Sequence, residues 1–106
     1  MKTQIIKEII ENIAKGDNPR VATTNKEIFP DAELLEGDFN YKRYFHFIIL
    51  DKKDDIRPYF RALRNGGYII SFVKFDDEYL QDVGFSAISE VDGLQVIKKV
   101  HSWNDW

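Results

Sequence analysis

The chain has 106 residues, with 15 Lys and Arg against 18 Asp and Glu for a net charge of −3, and no cysteine. That length holds one modest core, so a single domain over residues 1–106 is expected. The cysteine count excludes disulfides, thiolate metal sites and a cysteine nucleophile; the charge gives no global attraction to nucleic acid or an anionic membrane, so either would need a local patch.

Ile5, Ile6, Ile9, Ile10, Ile13 and Ala14 fall on one helical stripe, with Lys7, Glu8, Glu11 and Lys15 outside it and Gly16 to close the helix. The charges of this opening segment rule out a signal-peptide core and a membrane span there, and a cytoplasmic protein is expected. β-branched isoleucine is a mediocre helix former, so the helix must depend on docking its stripe onto a sheet face. Asp17-Asn18-Pro19 is a turn, and Arg20 to Thr24 is a short strand. Lys26 to Phe29 has room for one helical turn before Pro30, and Ala32 to Glu36 is a second, weaker strand ending at Gly37-Asp38-Phe39. The connection between these two strands is short for a parallel crossover, and their pairing is left open.

Tyr44 to Leu50 is an aromatic and β-branched run, suited to a strand covered on both faces. Asp54 to Arg64 then places Ile56, Tyr59, Phe60 and Leu63 on one helical face and Arg57, Arg61 and Arg64 on another. Gly66-Gly67 is read as the stop of that helix, and Tyr68 to Val73 as the next strand. Together these make a βαβ unit with a right-handed crossover expected. Asp76 to Val83 reads as a short acidic helix capped by Asp76 or Asp77 and ended by Gly84. Phe85 to Val91 and Leu94 to His101 are strands joined by Asp92-Gly93, a strong hairpin signal.

From Tyr44 onward, the order strand, helix, Gly-Gly, strand, short helix, Gly-Phe, hairpin resembles the carboxyl-terminal half of class I S-adenosylmethionine-dependent methyltransferases. Leu63-Arg64-Asn65-Gly66-Gly67-Tyr68-Ile69-Ile70 is similar to that family's segment of leucine, a basic residue, Gly-Gly and an apolar strand. Val83-Gly84-Phe85 and the Asp92-Gly93 hairpin resemble its antiparallel ending. The likeness spans about sixty residues. It implies a small Rossmann-like α/β sheet, mostly parallel in the centre, closed by an antiparallel hairpin, with helices on one or both faces.

Extended backwards, the resemblance matches the first helix with the helix after the family's glycine loop and Val21 to Asn25 with the following strand. It matches Gly37-Asp38-Phe39 with the acidic position near the adenine. The sequence departs from the pattern in three places. No Gly-x-Gly-x-Gly precedes the helix, although only glycine lets backbone N–H groups approach a cofactor so closely. Asn25 stands where an acidic residue usually holds the ribose hydroxyls, and His46 where an aspartate often opens the strand.

Ligands of open α/β sheets collect beyond the carboxyl ends of the strands, which singles out Asn25, Asp38 and Asp51, with Phe39 beside them, as candidate cofactor-binding residues. Turn and cap chemistry explains the same residue types without a ligand. Asp51, Asp54, Asp55 and His46 do not make a metal cluster by pattern: His46 and Asp51 point to opposite faces of a strand, and capping explains Asp54 and Asp55. A receiver-like phospho-acceptor role for Asp51 fails for want of an acidic pair after Arg20 to Thr24. Arg57, Arg61 and Arg64, with Lys52 and Lys53 upstream, form a basic stripe that could meet phosphates or an acidic partner; a solvated helix face with acidic neighbours is the commoner explanation, and the net charge argues against nucleic acid. His46 and His101 lie in no nucleophile motif. Trp103 and Trp106 must either fold back on the core or meet another chain, for which a homodimer is the simplest case.

The sequence thus favours a non-catalytic, methyltransferase-like binding or assembly module, holding no cofactor, cytoplasmic, with a homodimer through Trp103 and Trp106 and neither membrane nor nucleic acid as partner. The alternative is an active methyltransferase that binds S-adenosylmethionine through Asn25, Asp38, Phe39 and Asp51, its missing wall supplied by a second copy.

Overall fold

A computed structural model describes residues 2–37 and 39–100; Asp38, His101, Trp103 and Trp106 lie outside the described residues. The isoleucine stripe forms helix α1 (Thr3–Ala14), which buries Ile6, Ile9 and Ile10. Its N-cap, Lys2, makes no side-chain cap hydrogen bond. Instead the Thr3 hydroxyl donates to the Ile28 carbonyl at 2.7 Å, tying the helix to the chain around Ile28. At its other end Lys15, at φ 51°, donates its amide to the Glu11 carbonyl.

Strand β1 (Val21–Thr23) pairs in parallel with the two-residue strand β2 (Glu33–Leu34) and with β3 (Phe45–Leu50). The short connection from β1 to β2 achieves this without a helix, because β2 is so brief that Phe29 and Ala32 suffice to cover the sheet there. Helix α2 (Arg57–Ala62) leads directly into β4 (Leu63–Ser71), which runs parallel to β3. Helix α3 (Asp77–Val83) precedes the hairpin of β5 (Phe85–Val91) and β6 (Leu94–Lys99). Asp92 and Gly93 adopt φ 50° and 83°, the pair of left-handed residues that a two-residue hairpin turn requires. Among the described residues the sheet has six strands in the order β2-β1-β3-β4-β6-β5, parallel through β4 and antiparallel at the hairpin.

Two apolar layers sandwich this sheet. On one face α1, with Phe29 and Ala32, packs on Phe47, Ile49, Ile70, Leu94 and Val96. On the other, Tyr59, Phe60, Leu80 and Val83 of α2 and α3 pack on Phe45, Ile48, Leu50, Ile69 and Ile97, and Phe39 and Tyr41 extend this layer. Helices therefore cover both faces, giving three layers. Among the described residues, no helix is long and apolar enough to cross a membrane.

Several boundaries differ from those the sequence suggests. The helix expected over Asp54 to Arg64 is only the six residues of α2, and Gly66-Gly67 does not stop it. Leu63 already pairs with Phe45 as strand, and the chain makes an excursion through 64–67 before Tyr68 resumes the ladder opposite Phe47. Arg64 therefore leaves the arginine stripe and belongs to β4. Asp76 is the N-cap of α3 but makes no side-chain cap hydrogen bond.

One buried cation fastens the hairpin to α2. Lys99 is only 4% exposed. Its ammonium donates to the carbonyls of Phe60 at 2.7 Å and Leu63 at 2.8 Å and lies 4.2 Å from the Phe60 ring centre. It thereby serves carbonyls at the end of a helix, where a cation also complements the helix dipole. Burial lowers its pKa to about 8, with Arg43 adding to the effect.

Candidate functional site

The strand order changes direction between β1 and β3: from β1 the chain proceeds outward to β2 on one side and through β3 and β4 on the other. Open α/β sheets bind ligands in the crevice at such a point, beyond the carboxyl ends of the strands. The pairing of Thr23 with Ile49 sets the two ends side by side, so that Thr24 and Asn25 follow one strand and Asp51 the other.

Here the side chains satisfy one another. The Thr24 hydroxyl donates to one Asp51 carboxylate oxygen at 2.9 Å, and the Asn25 amide nitrogen donates to the other at 3.1 Å. The Asn25 amide oxygen accepts from the Glu27 backbone N–H at 3.0 Å, which fixes the orientation of the amide, while the Asn25 backbone N–H donates to the Thr23 hydroxyl at 3.1 Å. Burial pushes the Asp51 carboxyl up, but the hydrogen bonds from Asn25 and Thr24 outweigh it and hold the group below the usual carboxylate range. A carboxylate so depressed is a poor general base near neutrality, where an effective one would have a pKa near the working pH.

Asn25 and Asp51 are thus brought together as the sequence predicts. Phe39 meets that group only by way of Tyr59, which Asp51 influences. It stacks on Tyr59 at 5.4 Å between ring centres. Burial raises the Tyr59 hydroxyl to about 12, with nearby Asp54 and then Asp51 adding to it. Asp38 lies outside the described residues. His46 occupies the opposite, amino-terminal end of β3 from Asp51. Asp55 accepts from the Arg57 backbone N–H at 3.1 Å and pairs with its guanidinium at 2.8 Å, the local helix-entry role expected of it. Among the described residues no group of three or more His, Cys, Asp or Glu is placed to hold a metal ion.

Sequence reasoning missed Thr24 as a member of the group. The signal available was a hydroxyl one step beyond a strand whose parallel neighbour ends in aspartate. It also missed Lys99, one of two consecutive lysines in a strand covered on both faces, one of which had to point inward.

Sheet order, switch point and terminal hairpin together define a class I methyltransferase-like α/β fold. Among solved structures, the chain is similar to the crystal structure of a "putative type 11 methyltransferase from Sulfolobus solfataricus", with a TM-score of 0.59 and 14% identity over 95% of each chain. At that identity the likeness concerns the fold. No family model and no curated protein sequence matches the chain.

Proposed function

We propose that this protein is a non-catalytic binding or assembly module that keeps a methyltransferase-like sheet without using it for methyl transfer or holding a cofactor. The observation that carries this reading is the self-contained group at the switch point, where Thr24 and Asn25 engage both oxygens of Asp51. Each carboxylate oxygen thus already holds one of this chain's own donors, which leaves fewer acceptor sites for a ribose hydroxyl. The sheet itself supports the reading. In the doubly wound arrangement the strand carrying the glycine loop lies between the strands that β1 and β3 resemble. Here β1 pairs directly with β3 through three successive residues, so no strand fits between them. Isothermal titration calorimetry with S-adenosylmethionine and S-adenosylhomocysteine tests the proposal: no binding in the micromolar range is expected, and micromolar binding of either would contradict it.

The second reading is an active S-adenosylmethionine-dependent methyltransferase using Asn25, Asp38, Phe39 and Asp51. The juxtaposition of Asn25 and Asp51 at the switch point favours it. It requires that Asp51→Ala abolish cofactor binding.

As an assembly module the protein acts in the cytoplasm and pairs with a second copy through Trp103 and Trp106, with neither membrane nor nucleic acid as partner. Tryptophan is enriched at interfaces because a large apolar ring is joined to one hydrogen-bond donor. Light scattering across a concentration series is expected to show a dimer that Trp103→Ala and Trp106→Ala dissociate; a wild-type monomer at high concentration contradicts the pairing.

A further inference from the structure

Two irregularities of the sheet meet at His46, at the edge opposite the switch point. On the β1 side the Arg20 carbonyl accepts from both His46 N–H at 2.9 Å and Phe47 N–H at 3.3 Å, the mark of a bulge in which two residues oppose one. On the β4 side Leu63 and Tyr68 pair with Phe45 and Phe47, so residues 64–67 loop out. Between this loop, the end of α1 and Pro19 lies a cavity of about 490 Å³. Its walls are mixed. Ile13, Pro19, Phe47 and Tyr68 supply an apolar side, with the last two rings stacked at 5.6 Å.

The polar side has a surplus of donors. The Arg20 backbone N–H donates to His46 Nδ1 at 2.9 Å, and Arg64 Nη1 lies 2.8 Å from His46 Nε2. A guanidinium has no acceptor, and a neutral imidazole has one accepting nitrogen and one N–H. One of the two contacts therefore sets an N–H against an N–H. Burial, then Arg64 and Arg20, lower the pKa of His46, and Asp17 opposes them weakly. The Arg20 guanidinium is otherwise engaged, donating to the Tyr44 carbonyl at 2.8 Å and lying 4.5 Å from the Tyr44 ring centre. Lys98 adds a further positive charge 5.9 Å from the Tyr68 ring centre. An oxyanion placed beside Arg64 and His46 would accept from both and resolve the conflict, and Arg is the side chain best shaped to bind one.

We propose that this cavity binds a small organic anion, its oxyanion held by Arg64 and His46 and its flat apolar body lying against Ile13, Phe47 and Tyr68. The site is separate from the switch-point crevice and does not depend on the function proposed above. Benzoate and phenyl phosphate are suitable probes, with inorganic phosphate and benzyl alcohol as the two half-ligands, and binding is read from amide shifts of the full chain. Benzoate or phenyl phosphate is expected to shift Gly66, Gly67 and His46, and whether one or both do so distinguishes a carboxylate from a phosphate site. Arg64→Gln, checked for folding by circular dichroism, is expected to weaken binding about tenfold or more. Asp17→Asn is expected to tighten it by removing the opposing charge. The proposal is overturned if neither aromatic anion binds, if benzyl alcohol binds as well as benzoate, if inorganic phosphate binds as well as phenyl phosphate, if Arg64→Gln binds like the wild type, or if Asp17→Asn fails to bind more tightly.

Discussion

At Asp51 two hydrogen bonds outweigh a burial penalty, and that balance sets a pH dependence. Its carboxyl is held below the ordinary value, so the group contributes stability that is fully present above about pH 4 and is lost as pH falls through the lower folded value. Asp51→Ala leaves the Thr24 hydroxyl and Asn25 amide without their partner and should destabilise the fold by about 1–2 kcal/mol at neutral pH, measured by urea unfolding. The difference should shrink below pH 4. Lys99 works in the opposite sense. Its pKa is lowered to about 8, so its charge opposes folding below that value, and this opposition is relieved as pH rises from about 8 toward the ordinary lysine value. Lys99→Met, which takes the ammonium donor from the Phe60 and Leu63 carbonyls, should destabilise by about 1–3 kcal/mol, and the gap should widen between pH 8 and 10 as the wild type gains stability. Asn25 and Asp51 were legible in the sequence because residues just past parallel strands must gather at one edge. Thr24 and Lys99 were not: which of two adjacent threonines or lysines faces its partner depends on strand phase, and phase is set by tertiary packing.

Among the elements, the apolar runs were readable and their joints were not. Leu63 satisfies a helical face and a strand ladder equally well, so periodicity alone could not show that α2 ends at Ala62. Gly66-Gly67 reads as a helix stop, yet its role is to let 64–67 leave and rejoin the sheet. The two glycines serve this differently. A Cβ at Gly67 would lie 2.9 Å from the Arg64 carbonyl oxygen and 3.2 Å from that of His46, so Gly67→Ala must shift backbone and should cost about 2 kcal/mol or more in thermal or urea unfolding. At Gly66 the space is open and only the φ of +79° resists, so Gly66→Ala should cost about 1 kcal/mol. Equal effects would mean that crowding does not shape this loop. The parallel pairing of β1 and β2 is illegible in the sequence because the usual crossover length belongs to a full strand, whereas β2 is two residues long.

Across the whole molecule, the fold follows from the sequence more directly than the function does. The order of runs from Tyr44 onward was enough to suggest a parallel sheet closed by a hairpin, since strand, short helix and two-residue turn each leave a local mark. What those marks do not carry is the adjacency of β1 and β3, which depends on contacts distant in the chain and leaves no place for a strand between them. The central claim is that Thr24, Asn25 and Asp51 satisfy one another at the switch point with their own hydrogen bonds. Nuclear magnetic resonance of the Asn25 side-chain amide during titration with S-adenosylhomocysteine tests it most directly. The account predicts that both amide protons keep their positions at millimolar ligand; a saturable shift at micromolar ligand, lost in Asp51→Ala, would contradict it.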